Sequence, residues 1–206
     1  MSFDRALLRR SPLEVAPALL GSLLTVGPVS LRITEVEAYL GVGEDPGSHS
    51  FRGQTPRNST MFGDAGHLYV YFTYGMHTCA NIVCSPPGTS GGVLLRAGEI
   101  VSGLSAAQSR RTTSRRDTDL AQGPARLTVA LGIAMTDDGA DLASSRVRLD
   151  VAAPLAPALI SSGPRTGVAG AGGTSDYPWR YWITDDPTVS RYKPAKPSKT
   201  APKSGA

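Results

Sequence analysis

Lysine is confined to the end of this 206-residue chain: Lys193, Lys196, Lys199 and Lys203 all fall in the last fourteen positions, and the other seventeen basic side chains are arginines. Chemistry that needs a pocket lysine to form a Schiff base is therefore excluded unless the C-terminal segment folds back. Cysteine is scarcer still. Cys79 and Cys84 are the only two, and odd spacing on an expected strand sends them to opposite faces, against a disulfide between them. The three histidines, His49, His67 and His77, form no ligand motif, so no metal site is expected. Walker loop, dinucleotide fingerprint and internal repeat are all missing. No run approaches the roughly 20 apolar residues of a membrane span, so no crossing is expected. After Arg9-Arg10 the stretch APALLGSLLTV is only faintly like a signal peptide, because Pro12 and Glu14 interrupt the region and no clean cleavage site follows. A cytoplasmic protein is expected.

What remains is ordinary in bulk and distinctive in pattern. Hydrophobic content of 40% and charged content of 18% suit one globular domain with a substantial core. A net charge of +4 permits an anionic partner, nucleic acid included, without requiring one. Ser11-Pro12-Leu13-Glu14 reads as a helix start, with a serine cap, a proline in the first turn and a glutamate placed for a capping box. Two strands follow, 23–26 and 30–39, joined at Gly27-Pro28. Period-two alternation in the second puts Ile33, Glu35, Glu37 and Tyr39 on one face. Two carboxylates beside an aromatic ring suit proton transfer if the face is buried, and a solvated edge if it is not.

Residues 41–66 form a long Gly/Pro/Ser/Asn-rich loop carrying His49, Phe51, Arg52, Arg57 and Met61, cationic and apolar groups suited to a polyanion bearing rings. Leu68 to Tyr74 then alternates Leu68, Val70 and Phe72 with Tyr69, Tyr71 and Thr73, and His77 to Cys84 reads as the returning strand of a hairpin. The pattern offers one aliphatic face for a core and one phenolic face. It fits a recognition wall or a half-buried structural hairpin. GVLLRA at 92–97 places Arg96 among aliphatics, where it needs an anionic partner such as Glu35 or Glu37. Helices are expected within 98–122, around the cluster Arg110, Arg111, Arg115 and Arg116. Another opens at Gly123-Pro124-Ala125-Arg126, whose free amides beside Arg126 suit a phosphate. Strands are expected in 141–160 and at 181–184, and a disordered Pro/Lys-rich tail from 191 to 206.

VEAYLG at 36–41, QTPRNSTMF at 54–62, HLYVYFTYGMHTCANIV at 67–83 and GVLLRA at 92–97 resemble the alkyladenine (3-methyladenine) DNA glycosylase family, with GPARL at 123–127 and PRTGV at 164–168 extending the match. The resemblance covers roughly residues 11 to 184. It implies an α+β single domain over residues 1–190, with a curved, mostly antiparallel sheet surrounded by helices and a hairpin projecting toward DNA. It implies a monofunctional N-glycosylase of a bacterial type that removes damaged purines from duplex DNA without cofactor or metal, and leaves an abasic site. A non-catalytic module of the same shape that binds damaged DNA is the alternative.

Carried over residue by residue, the resemblance makes Glu37 the base that activates water. Arg96 helps to orient that water, and the carbonyl of Val168 helps to hold it. Tyr39 and Tyr71 sandwich the extruded base, with His49 at the pocket edge. Asn81 disfavours the 2-amino group of guanine. Tyr74 enters the minor groove and Met61 braces the neighbouring stack. From the residue reading above, Arg57 in the loop and Arg126 at the helix start are expected on the DNA-binding surface. The loop at 41–53 and His77 depart from the family pattern, which bears on the range of bases accepted. For Tyr71 and Asn81 to share a face, the hairpin loop must be odd in length or bulged, since a two-residue turn at Tyr74-Gly75 would pair Tyr71 with Thr78. A monomer is expected.

Overall fold

The computed structural model describes residues 2–73, 75 and 77–195. Two short helices, α1 (Arg5–Leu8) and α2 (Pro12–Ala18), precede strands β1 (Leu23–Val26) and β2 (Val29–Tyr39). After the long loop come β3 (Leu68–Thr73), β4 (His77–Val83) and β5 (Gly92–Ser102), then α3 (Leu104–Arg110) and α4 (Pro124–Leu131). Strands β6 (Val147–Asp150), β7 (Ile160–Gly163) and β8 (Arg180–Ile183) complete an α+β domain. All eight strands join one open sheet, antiparallel in every pairing, in the order β3-β4-β5-β2-β1-β6, with β8 against the C-terminal half of β2 and β7 beyond it. Among the described residues no helix is long and apolar enough to cross a membrane.

The sheet divides two environments. Its inner face carries Val36, Ala38, Val70, Ala80, Ile82, Val93 and Leu95 into a core closed by α2, α3 and α4. Ser11 caps α2 by accepting from Leu13 N at 3.4 Å, and no reciprocal bond from Glu14 is seen, so the expected capping box is a simple serine cap. Helix α4 is tied to the hairpin through Thr128 Oγ1, which donates to Thr78 O at 2.8 Å.

Simple alternation fails on β2, and the failure is instructive. Ile33 lies in the core with Val36 and Ala38, not beside Glu35 and Glu37. The register shifts on either side of Glu35: Ile33 pairs with Gly98, Glu35 with Ala97 and Val36 with Leu95. Thr34 and Arg96 are the residues skipped, so two bulges face each other across β2 and β5. Such bulges re-aim side chains, and here they lie where the buried charges are. Other expectations change as well. Within 141–160 only 147–150 and the start of β7 form strands, with isolated bridges at Asp141 and Val151; after these, Pro154 and Pro157 lack the amides a ladder needs. Phe72, expected in the core, is 51% exposed because the hairpin runs past the core's edge.

In the hairpin Tyr69 pairs with Asn81, Tyr71 with Cys79 and Thr73 with His77. Three residues, 74–76, separate the last pair. The loop is therefore odd, and Tyr69, Tyr71, Cys79 and Asn81 share one face. Tyr74 itself lies outside the described residues. Cys79 and Cys84 are both buried and unbonded to each other. The chain stays against the domain as far as Lys193, whose carbonyl accepts from Gly167 N at 2.9 Å. Residues 196–206 of the expected tail lie outside the described residues.

Candidate active site

A cavity of about 380 Å³ opens on the outer face of the sheet, within the range of small-molecule pockets. Glu37, from the C-terminal half of β2, forms its floor and is fully buried. Its Oε2 accepts from the Tyr39 hydroxyl at 2.8 Å and its Oε1 from Thr166 N at 2.6 Å. The Arg96 guanidinium approaches Oε1 to 3.3 Å. A carboxylate offers about four acceptor positions, so these contacts leave room on Oε2 for one further donor.

Arg96 stands at the bulge on β5. Its Nε donates to Glu35 Oε1 at 2.8 Å, and its Nη2 reaches Ser190 Oγ at 3.4 Å. Burial alone would lower its pKa, but the carboxylates of Glu37 and Glu35 outweigh that and hold it raised. Both candidate partners named from sequence are thus engaged. Glu35 also receives Arg180 Nε at 2.7 Å, Ser190 N at 2.7 Å and Ser190 Oγ at 3.0 Å. Burial pushes its pKa up, while Arg96 and Arg180 pull it down and prevail.

The walls are rings. Tyr69 and Tyr71 lie near-parallel with centroids 5.4 Å apart, and His49 sets its edge against Tyr71 at 4.6 Å. His49 Nδ1 and the Tyr69 hydroxyl are 3.2 Å apart. Loss of water raises the pKa of Tyr39 and of Tyr71, and that of Tyr69 to about 12, so all three are neutral phenols near pH 7. Asn81 is buried at the back, where its Nδ2 donates to Tyr69 O at 3.4 Å.

A second buried arginine braces this chamber and was not singled out from sequence. Arg165 forks onto Asp45, Nη1 to Oδ2 at 2.6 Å and Nη2 to Oδ1 at 2.7 Å, and also donates to Ala38 O and Gly172 O. Its guanidinium carbon lies 4.4 Å from the Tyr39 ring centroid. The approach of the two loops is so close that a Cβ on Gly47 would come within 2.6 Å of Arg165 Nη2, and one on Gly172 within 2.6 Å of Gly47 N. Arg165 and Asp45 stand 120 positions apart in regions without period, which hides the pair from pattern reading. Tyr69, placed on the phenolic face but not among the site residues, and the Thr166 amide join the list of omissions.

Met61 is 3% exposed; it lines the cavity and packs with Tyr69 and Val83. Val168 lines the cavity, but its carbonyl packs against Gly173, and the Thr166 amide is the loop group that meets Glu37. Arg57 bonds Phe72 O at 3.0 Å and lies 5.8 Å from the Tyr71 ring centroid, so it props the hairpin. Arg126 is exposed at the start of α4.

A buried carboxylate with a free acceptor site, beside an arginine and at the floor of a ring-lined chamber, is the equipment of an acid–base enzyme for a flat substrate. Sequence comparison gives the particular family. The family model for methylpurine-DNA glycosylase matches residues 6–187, and the chain belongs to that family. It is by that membership a DNA N-glycosylase, a hydrolase of N-glycosyl bonds. A relative from Leifsonia xyli subsp. xyli is 57% identical over 191 residues, 89% of each chain. One from Streptomyces avermitilis is 50% identical over 202 residues, 95% of this chain and 93% of its own. One from Nocardia farcinica is 51% identical over 188 residues, 88% and 87% of the two chains. All three bear the name "Putative 3-methyladenine DNA glycosylase".

Proposed function

We propose that this enzyme takes an alkylated purine of the 3-methyladenine type, extruded from duplex DNA, into the ring-lined cavity and hydrolyses its N-glycosidic bond with a water activated by Glu37. The observation that carries this reading is the buried Glu37 carboxylate, with acceptor capacity to spare, opening onto a chamber walled by Tyr39 and Tyr71.

Extrusion of a paired base costs a few kcal/mol, and less where the base is damaged. Purines alkylated at a ring nitrogen carry positive charge, which neutral tyrosine faces favour by about 0.5–2 kcal/mol. Such a base is already a good leaving group. The water oxygen bonds to C1′ of the sugar as the C1′–N bond breaks, its electron pair leaves with the purine, and the water proton passes to Glu37. Arg96 orients the carboxylate and its water. Among the described residues none that lines the pocket is a lysine, which supports water as the nucleophile and an abasic site as the product. Tyr74 is assigned to the vacated space in the duplex, and Arg126 to the phosphate backbone.

The test is single-turnover cleavage of duplex DNA holding one N-methylated purine, with abasic product read by alkaline scission. Glu37→Gln keeps the shape and an acceptor oxygen for Thr166 N, with its NH2 donating to the Tyr39 hydroxyl, but loses the base, and the rate should fall by about 10²–10⁴-fold. Wild-type release by the glutamine variant would overturn the mechanism. Tight binding by wild type without release would make the chain a damage-binding module.

A further inference from the structure

Glu35 is a fully buried carboxylate to which the mechanism above gives no work. It collects four donor contacts from three residues: the Nε groups of Arg96 and Arg180, and the amide and hydroxyl of Ser190. Arg96 stands between two carboxylates and does not treat them equally. Glu35 receives a 2.8 Å hydrogen bond, while Glu37 is approached only to 3.3 Å. An arginine free to choose would lay its planar fork on one carboxylate and occupy both oxygens. Were that carboxylate Glu37, the acceptor position needed by water would be filled.

We infer that Glu35 is a positioning residue that holds Arg96 away from a two-point pair with Glu37 and so preserves Glu37 as a proton acceptor. The inference rests on the water-activating role of Glu37. Ser190 completes the device. Its hydroxyl bonds Glu35 at 3.0 Å and meets Arg96 Nη2 at 3.4 Å, while its carbonyl accepts from Arg180 Nη2 at 2.8 Å. The segment carrying it is fixed in turn by Gln122 Nε2, which donates to Val189 O at 2.9 Å and Pro187 O at 3.2 Å. The charged and titratable groups around Glu37 are Arg96 from β5, Arg180 from β8, which stands opposite Glu37 in the ladder, Arg165 from the loop after β7, Tyr71 and Cys79 from the hairpin, and Tyr39 and Glu35 from its own strand. Of these, Arg96, Arg180 and Arg165 are cations; Arg165 is already committed to Asp45, and Arg180 to Glu35 and Ser190 O. Arg96 is the cation whose allegiance can change.

The test is the pH dependence of single-turnover cleavage in Glu35→Gln, with affinity for duplex DNA holding an uncleavable abasic-site analogue measured beside it. Expected are a plateau rate lowered by about tenfold or more, an acid limb moved to lower pH, and unchanged affinity for the analogue. A lower plateau with an earlier acid limb is what a base more tightly bound to a cation shows; because loss of the Glu35 charge by itself also favours ionised Glu37, the fall in plateau and the charge-conserving Ser190→Ala separate the two causes. Ser190→Ala, which keeps every charge, should move plateau and limb in the same directions by less, and it decides the matter if Glu35→Gln fails to fold. An unmoved acid limb in the folded variants overturns the inference. If Glu37→Gln still cleaves, the mechanism itself fails; if Glu37→Gln is inactive and the limb is unmoved, only the role of Glu35 falls.

Discussion

Of the arginines buried beside β2, Arg96 and Arg165 both border the chamber, and they are used in opposite ways. Arg165 is saturated: its Nε and both terminal nitrogens donate to Asp45, Ala38 O and Gly172 O at 2.6 to 3.1 Å. Arg96 has its one short bond to Glu35, and its other reaches, 3.3 Å to Glu37 and 3.4 Å to Ser190, are long. A saturated guanidinium has nothing left to offer a substrate and acts as a strut. One with slack donors, facing a cavity, can still reorient toward water. Burial alone therefore does not mark a charge as functional; the state of its hydrogen bonds does.

The contrast is broken hardest at the strut. Asp45→Asn leaves Arg165 charged and buried without its counter-ion, and removing one partner of such a pair costs about 3–5 kcal/mol. Asp45 also accepts from Leu40 N and Gly47 N, so the loop bearing His49 loosens with it. Denaturant midpoints should drop accordingly, and cleavage should fall with them even at a temperature where the variant stays folded. An Asp45→Asn protein as stable as wild type would mean that the pair is not a strut.

Gly47→Ala probes the same clamp more gently. The new methyl would meet Arg165 Nη2 at 2.6 Å and Val168 Cγ1 at 2.8 Å, and neither can retreat without disturbing the loop at 164–174. Overpacking of this kind costs about 1–3 kcal/mol. Because Val168 lines the cavity, affinity for the abasic-site analogue should stay near wild type while the cleavage rate falls. Equal rates at equal folded fraction would show that the clamp does not set the pocket.

Local pattern made part of this legible. The phenolic face of 68–73 and the buried need of Arg96 follow from alternation and from the cost of burying charge, and both are seen. Hairpin register followed from the family resemblance and parity together: the resemblance puts Tyr71 and Asn81 on one face, and side-chain period then demands an odd loop. What escaped was long-range or irregular. Paired bulges at Thr34 and Arg96 leave no mark in a sequence whose alternation continues through them, so alternation alone sends Ile33 to the wrong face. The Arg165–Asp45 pair joins two glycine-rich loops whose composition describes flexibility and not their meeting. Met61 sits in a loop without period, and only the structure shows it packed with Tyr69 and Val83 at the cavity wall.

The smallest effect belongs to His49, at the rim between these regions. Loss of surrounding water, and secondarily the nearby Arg57 charge, lower its pKa from the ordinary 6.5. The unfolded chain therefore takes up this proton before the folded one does. By linkage, folding stability falls as pH drops below 6.5 through the lowered folded value, while above 6.5 His49 adds no slope. Denaturant midpoints for wild type should decline between pH 7.5 and 5.5 more steeply than those of His49→Gln, which cannot titrate. Parallel declines would place His49 out of the pocket wall in solution and remove it from the edge that closes on Tyr71.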